Sequence, residues 1–202
     1  MKIKRAIIIQ GPTNIDHIKE NKNCWRGNTI IFSTWNDSDR SAYDLENDIV
    51  LFNEYPLIRE PHNWGLQKLS TLNALKYAKE LGYNRALKWR SDFKTNNADE
   101  LLKLFKLNKI NFYAFMNHMG GYFTDFFMEG DIDELINIFD TDSIDEFPEK
   151  IITSKIYKLG LEKKSNFVVK ELSDNVDVYW HKLNYWLSIN KTNNNYMDKI
   201  YN

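Results

Sequence analysis

The sequence predicts an α/β domain, a mainly parallel sheet flanked by helices, with residues 1–202 forming one unit. Three observations predict it. Short, continuous β-branched runs recur through the first half, as strands covered on both faces require. A long apolar stripe at helical spacing interrupts them and stops at a glycine. Runs and stripes then alternate, the pattern of right-handed crossovers between parallel strands.

Ala6-Ile7-Ile8-Ile9, Thr29-Ile30-Ile31-Phe32 and Ile49-Val50-Leu51-Phe52 are the first three strands. Between the first two, the polar segment 15–23 is long enough for a short helix. Residues 36–47, rich in Asp, Ser and Asn, hold only a short helix or a loop. Leu66, Leu69, Leu72, Leu75, Ala78 and Leu81 then share one helical face, and Gly82 supplies the left-handed stop. Residues 86–89 form the fourth strand. Asn97-Ala98-Asp99-Glu100 reads as a capping box ahead of Leu101, Leu102, Leu104 and Phe105. Residues 110–116 are a further strand, broken by Gly120-Gly121, and Asp131-Ile132-Asp133-Glu134 opens a capped helix through Phe139. Beyond Pro148 the pattern gives a helix over 151–159, a strand at Phe167-Val168-Val169 and an aromatic-rich stretch, 176–187, of no clear period. The part from 148 to 202 is expected to pack on the same domain.

With 43% hydrophobic residues the chain fills one sizeable core but not two. Its formal net charge of −1 argues against the basic face that duplex binding requires, so no nucleic-acid partner is expected. Cys24 is the one cysteine, which excludes an intrachain disulfide or a thiolate metal cluster and points to a reducing, cytoplasmic setting. The run 6–9 is too short for a signal-peptide core, and no run reaches membrane-spanning length. The abundance of Asn, Lys, Ile and Tyr is read as AT-rich coding rather than chemistry.

The strand ends carry the function. Gln10-Gly11-Pro12-Thr13, Ser33-Thr34-Trp35, Asn53-Glu54 and Arg90-Ser91-Asp92 each follow a strand. If those strands are parallel, the four clusters meet on the sheet edge where α/β proteins bind ligands. Gly-Pro lets backbone approach a ligand, Trp35 offers a stacking face, Asp92 can hold a divalent cation and Arg90 a phosphate. These are the ingredients of a nucleotide-diphosphate site.

The series Ile7-Ile8-Ile9-Gln10-Gly11-Pro12, Ser33-Thr34-Trp35, Gln67 with Ser70-Thr71, and Leu87-Lys88-Trp89-Arg90-Ser91-Asp92 resembles the WavE-type lipopolysaccharide-synthesis proteins, glycosyltransferases of the GT-A kind. Asn63-Trp64-Gly65, running into a long helix, a strand and an aspartate, is similar to the broader GT-A nucleotide-sugar module. The likeness covers roughly residues 5–140. It implies a GT-A-like (Rossmann-like) domain that transfers a sugar from a UDP- or GDP-sugar to a glycan or other hydroxyl acceptor, in polysaccharide synthesis. It implies that Gln10, Gly11, Pro12 and Thr13 cradle the nucleoside, with Thr34, Trp35 and Asn53 completing the pocket and Gln67 in the same donor site. Arg90 and Asp92 stand where the family places its acidic metal motif, with Mn²⁺ or Mg²⁺ as the cofactor. Here the usual Asp-x-Asp is reduced to one carboxylate, so donor binding with or without metal stays open, and Arg90 could meet the phosphate directly. His181, beside Tyr179 and Trp180 and beyond the stretch that resembles the family, reads either as a late metal ligand of the kind with which many GT-A enzymes close the metal site or as a packed side chain.

Inverting transfer also needs a base for the acceptor hydroxyl. Asp125, set among Tyr122, Phe123, Phe126 and Phe127, is the first candidate, because desolvation would raise its pKa toward the useful range; Glu129 is the reserve. Lys88 either pairs with a carboxylate or faces the diphosphate. His62 and His118 read as packed side chains. Two rivals remain: a sugar nucleotidyltransferase, which would carry a glycine-rich basic loop after its first strand, and a non-catalytic nucleotide- or glycan-binding module.

Overall fold

The computed structural model describes residues 3–56, 63–95, 97–112, 123, 125–141, 147–167 and 178–180. Nine strands and five α-helices are placed among them: β1 (Arg5–Gln10), α1 (Ile15–Cys24), β2 (Thr29–Trp35), β3 (Ile49–Asn53), α2 (Trp64–Glu80), β4 (Arg85–Arg90), β5 (Phe93–Thr95), α3 (Ala98–Lys103), β6 (Ile110–Phe112), β7 (Phe127–Asp131), α4 (Ile132–Phe139), α5 (Pro148–Lys158), β8 (Ser165–Phe167) and β9 (Val178–Trp180).

Seven strands form one sheet in the order β3-β2-β1-β4-β7-β6-β8, and β5 pairs with β9 apart from it. The pairs β1–β2, β2–β3, β1–β4 and β6–β8 are parallel, as the alternating pattern predicts. The β-branched runs are central because both of their faces are covered. Ile8, Ile31, Ala86 and Met128 pack toward α2, α4 and α5, whereas Ile7, Ile9, Phe32, Leu87, Trp89 and Phe127 pack toward Ile18 of α1 and Leu101 of α3. Burying each such side chain is worth about 1.5–3 kcal/mol.

The helix boundaries follow local chemistry. Asn14 caps α1 through His17 N–H at 2.9 Å, Asn97 caps α3 through Glu100 N–H at 3.1 Å, and Asp131 caps α4 through Asp133 N–H at 2.9 Å. Gly82 ends α2 at φ +80°, the left-handed stop its position predicts. Between 36 and 47 there is only a short 3-10 turn, Arg40–Ala42.

The sequence pattern misses β7, which runs antiparallel between β4 and β6. Phe-Met-Glu-Gly-Asp lacks a strand signature because its central acid is neutralised by residues far away in sequence. Glu129 accepts from Arg5 Nε (2.9 Å), Arg85 Nε (2.9 Å) and Nη2 (2.8 Å), and Asn111 Nδ2 (2.6 Å). Gly130 leaves room for Ile110 and Leu135, whose carbons would lie 3.4–3.5 Å from a Cβ. Of the expected strand 110–116, residues 110–112 are strand, and the rest lies outside the described residues, as do Gly120-Gly121, 168–169 and 181–187.

Candidate functional site

The chain runs from β1 outward to β2 and β3, then α2 carries it back across β1 to β4. The carboxyl ends of β1 and β4 therefore flank the point where strand order reverses, the crevice in which open α/β sheets bind ligands. A cavity of about 510 Å³ opens there. Its wall takes Gln10 to Asn14 from the end of β1, Arg90 to Asp92 from the end of β4, and Asn63, Leu66 and Gln67 from the start of α2.

Backbone hydrogen bonds set the shape of this wall. Gly11 N–H donates to Ser33 O at 3.1 Å and Ser91 N–H to Gln10 O at 2.9 Å. Ser91 Oγ donates to Pro12 O at 2.6 Å, and Asn21 Nδ2 of α1 reaches Ser91 O at 3.1 Å. Gly11 sits at φ +118°, where a Cβ would lie 3.0 Å from Ser91 Oγ, so both conformation and space call for glycine. α1 and α2 both present their N-terminal turns to the cavity, and the partial positive charge of such turns suits an anion.

Most of the donor-site residues predicted from sequence meet here. Gln10, Gly11, Pro12, Thr13, Trp35, Gln67, Arg90 and Asp92 all line the cavity. Thr34 and Asn53 do not. Thr34 Oγ1 lies 2.7 Å from Ser38 Oγ, and Asn53 Nδ2 donates to Thr34 O at 2.7 Å and Ser33 Oγ at 3.0 Å, so both residues brace the wall from behind. The Thr13 hydroxyl likewise bonds Tyr43 OH. Trp35 is only 3% exposed, and its ring is stacked on Tyr55 at 4.9 Å and 15°. The exposed aromatic of the wall is thus Tyr55, held by Asp37 at 3.0 Å. Sequence reasoning missed Tyr55, Asn14 and His17; only Asn14, two residues after Pro12 and directly before a helix, carried a cap signature.

Arg90 ends β4 between two acids. Its Nε and Nη2 donate to the two oxygens of Asp92 at 2.9 and 2.8 Å, and its Nη1 lies 3.7 Å from Asp125 Oδ2. The rings of Phe93 and Phe126 lie 5.3 and 5.6 Å from its guanidinium carbon. Burial works against the Arg90 charge, but Asp125 and Asp92 outweigh it and hold the guanidinium above its usual value. Lys88 is fully buried and donates to the backbone oxygen of Asp125, away from the cavity. Burial pushes its ammonium down to about 8.

Asp125 is 1% exposed and lies behind Arg90, off the cavity wall. Neither of its carboxylate oxygens has a hydrogen-bond partner among the described residues. Glu129, the reserve base, is fully buried on the same sheet face as Leu87 and is saturated by Arg5, Arg85 and Asn111. His62, His118 and His181 lie outside the described residues. Among those described, no group of three or more His, Cys, Asp or Glu side chains could hold a metal ion. Of the two expected metal ligands, Asp92 has both oxygens bonded to Arg90, and His181 lies outside the described residues. No helix of the described residues is long and apolar enough to cross a membrane.

The chain matches no family model and no curated protein. Among solved structures it resembles that of a "putative nucleotide-diphospho-sugar transferase" from Desulfovibrio desulfuricans G20, with a TM-score of 0.55 and 10% sequence identity over 81% of this chain and 79% of that one. That likeness establishes the fold.

Proposed function

We propose that this chain is a GT-A-type glycosyltransferase that moves a sugar from a UDP- or GDP-sugar to a hydroxyl of a glycan acceptor. One observation carries the reading: the cavity at the β1/β4 reversal joins a close-approach Gly-Pro turn, a guanidinium and two helix N-termini. The resembled structure supports it, since the name of that protein is a nucleotide-sugar transferase. The WavE-type motif series favours surface-polysaccharide synthesis as the setting.

In this reading the Gln10–Asn14 turn and the exposed Tyr55 receive the nucleoside. Arg90 and the starts of α1 and α2 face the diphosphate and offset the charge that grows on it as the glycosidic bond breaks. Asp125, on the far side of Arg90, is the carboxylate proposed to accept the acceptor proton. Asp125→Asn tests that role: transfer is lost with nucleotide binding kept, whereas equal loss of both would make Asp125 a support for Arg90.

A thermal-shift screen of UDP, GDP and their sugars, with Mn²⁺ and with chelator, tests the donor site. A true donor at one hundred times its Kd raises stability by about 2.7 kcal/mol. No shift with any nucleotide sinks the reading. The Arg90–Asp92 pair favours one alternative, a non-catalytic nucleotide-binding module, because the carboxylate of the motif is already engaged. Slow donor hydrolysis without acceptor separates the two, since the module gives binding and no turnover.

A further inference from the structure

Two amides on the cavity wall, Gln10 and Gln67, are held from behind. Gln10 is 5% exposed, and its Nε2 donates to Ser70 Oγ at 3.1 Å. Ser70 Oγ lies 2.8 Å from Leu66 O, the carbonyl one turn earlier in α2, so its own hydrogen goes there and the hydroxyl accepts from Gln10. Ser33, the neighbour of Gln10 on β2, fixes Ser70 in turn by donating from Oγ to its backbone oxygen at 2.7 Å. With the Ser70 hydrogen so placed, turning the Gln10 amide round sets two oxygens against each other. Its Oε1, to which no described residue donates, is left for the cavity. Gln67 lies one turn before Ser70 on α2, and its Oε1 is buried and likewise receives no hydrogen bond from the described residues. Two amide oxygens thus stand on one wall with nothing described to accept from. A buried acceptor in this state is costly, and a ligand that brings donors relieves the cost.

The order of groups along the rim decides which part of a nucleotide meets these oxygens. Strands β2, β1 and β4 are successive neighbours in the sheet, about 4.8 Å apart. β2 ends in Trp35, on which Tyr55 is stacked, β1 ends in Gln10 and β4 ends in Arg90. Gln10 therefore stands between the aromatic ring that suits a base and the guanidinium that suits a diphosphate. The diphosphate of a nucleotide sugar has no donor to give, and the donors on a base differ from one base to the next. Between the two, every ribonucleotide carries a pair of adjacent hydroxyls. We propose that Gln10 Oε1 and Gln67 Oε1 accept hydrogen bonds from the 2′- and 3′-hydroxyls of the ribose, so that the cavity selects ribonucleotides whatever their base. This inference rests on the nucleotide-sugar reading of the cavity; the orientation of the Gln10 amide does not.

The experiment is calorimetric binding of UDP and GDP, each against its 2′,3′-dideoxy counterpart, by the wild type, Gln10→Met and Gln67→Met. Each substitution removes the acceptor and keeps the length of the side chain. The wild type is expected to bind the better of the two ribonucleotides at least about tenfold more tightly than its dideoxy counterpart, because the latter leaves both oxygens without a donor. Each Met variant is expected to narrow that ratio by weakening the ribonucleotide while binding the dideoxy compound much as the wild type does. Equal affinity for ribo- and dideoxynucleotide overturns the inference and leaves the transferase reading standing, and so does a ratio unchanged in both variants. Binding of no nucleoside diphosphate at all removes both. A second measurement needs no ligand. Because nothing described donates to Gln67 Oε1, Gln67→Met is expected to unfold at the same urea concentration as the wild type or a higher one. A clearly lower midpoint would mean that this oxygen is already bonded in the ligand-free protein, and would overturn its assignment to the ribose.

Discussion

Two buried acids four residues apart on one stretch of chain are treated in opposite ways. Glu129, in the middle of β7, receives four hydrogen bonds from two arginines and an asparagine. Asp125, at the mouth of the same strand, receives none from the described residues and has Arg90 at 3.7 Å. The first arrangement is saturated and belongs to the architecture. The second is held in deficit beside a cavity, which is where a side chain must keep bonding capacity if it is to act on something that arrives later.

The largest effect that would break this contrast is at Glu129. Glu129→Ala strands Arg5 and Arg85 and is expected to cost about 3–5 kcal/mol in urea unfolding; a loss under one would show that the network is ornamental. Lys88 comes next. Between pH 8 and 10.5 the unfolded chain carries a proton that the folded chain has shed, so stability rises with pH across that window. The gain is about 3 kcal/mol at the upper end, and Lys88→Met is expected to abolish the rise. Gly11→Ala forces a side chain into a left-handed position against Ser91 and is expected to lose about 1–3 kcal/mol, read as a lower denaturation midpoint. Asp125→Asn sharpens the comparison most, because it is expected to change stability by less than about 1 kcal/mol in either direction, in contrast with Glu129. Tyr55→Ala, at a 39% exposed ring, is expected to stay within about 0.5 kcal/mol in stability while weakening nucleotide binding in calorimetry.

How much of this was legible depended on whether a residue's role was local. β1 to β4 could be read because runs such as Ile7-Ile8-Ile9 are apolar on both faces, and α2 because Leu72, Leu75 and Ala78 of its stripe are buried and Gly82 stops it, although Leu81 lies past the helix end and is exposed. The strand-end clusters of β1 and β4 led to the cavity, since parallel pairing alone delivers them to one edge. β7 was not legible: its Glu129 is explained only by distant partners, among them Arg5, 124 positions away, and Arg85, 44 positions away. Thr34 and Asn53 had the right chemistry at the right edge, but strand pleating turned their side chains into the supporting layer. Tyr55 gave no signal, because it follows β3 in irregular chain and gains its place through tertiary contacts, stacking on Trp35 and bonding Asp37.

The reversed direction of β7 has an evolutionary reading. That strand begins on the ligand side of the sheet and ends in the cap of α4, so its two ends answer to different neighbours. At the other end, Asp131 closes strand and opens helix in a single residue, which leaves no room for an insertion. Homologues should therefore keep the spacing between β7 and α4 unchanged.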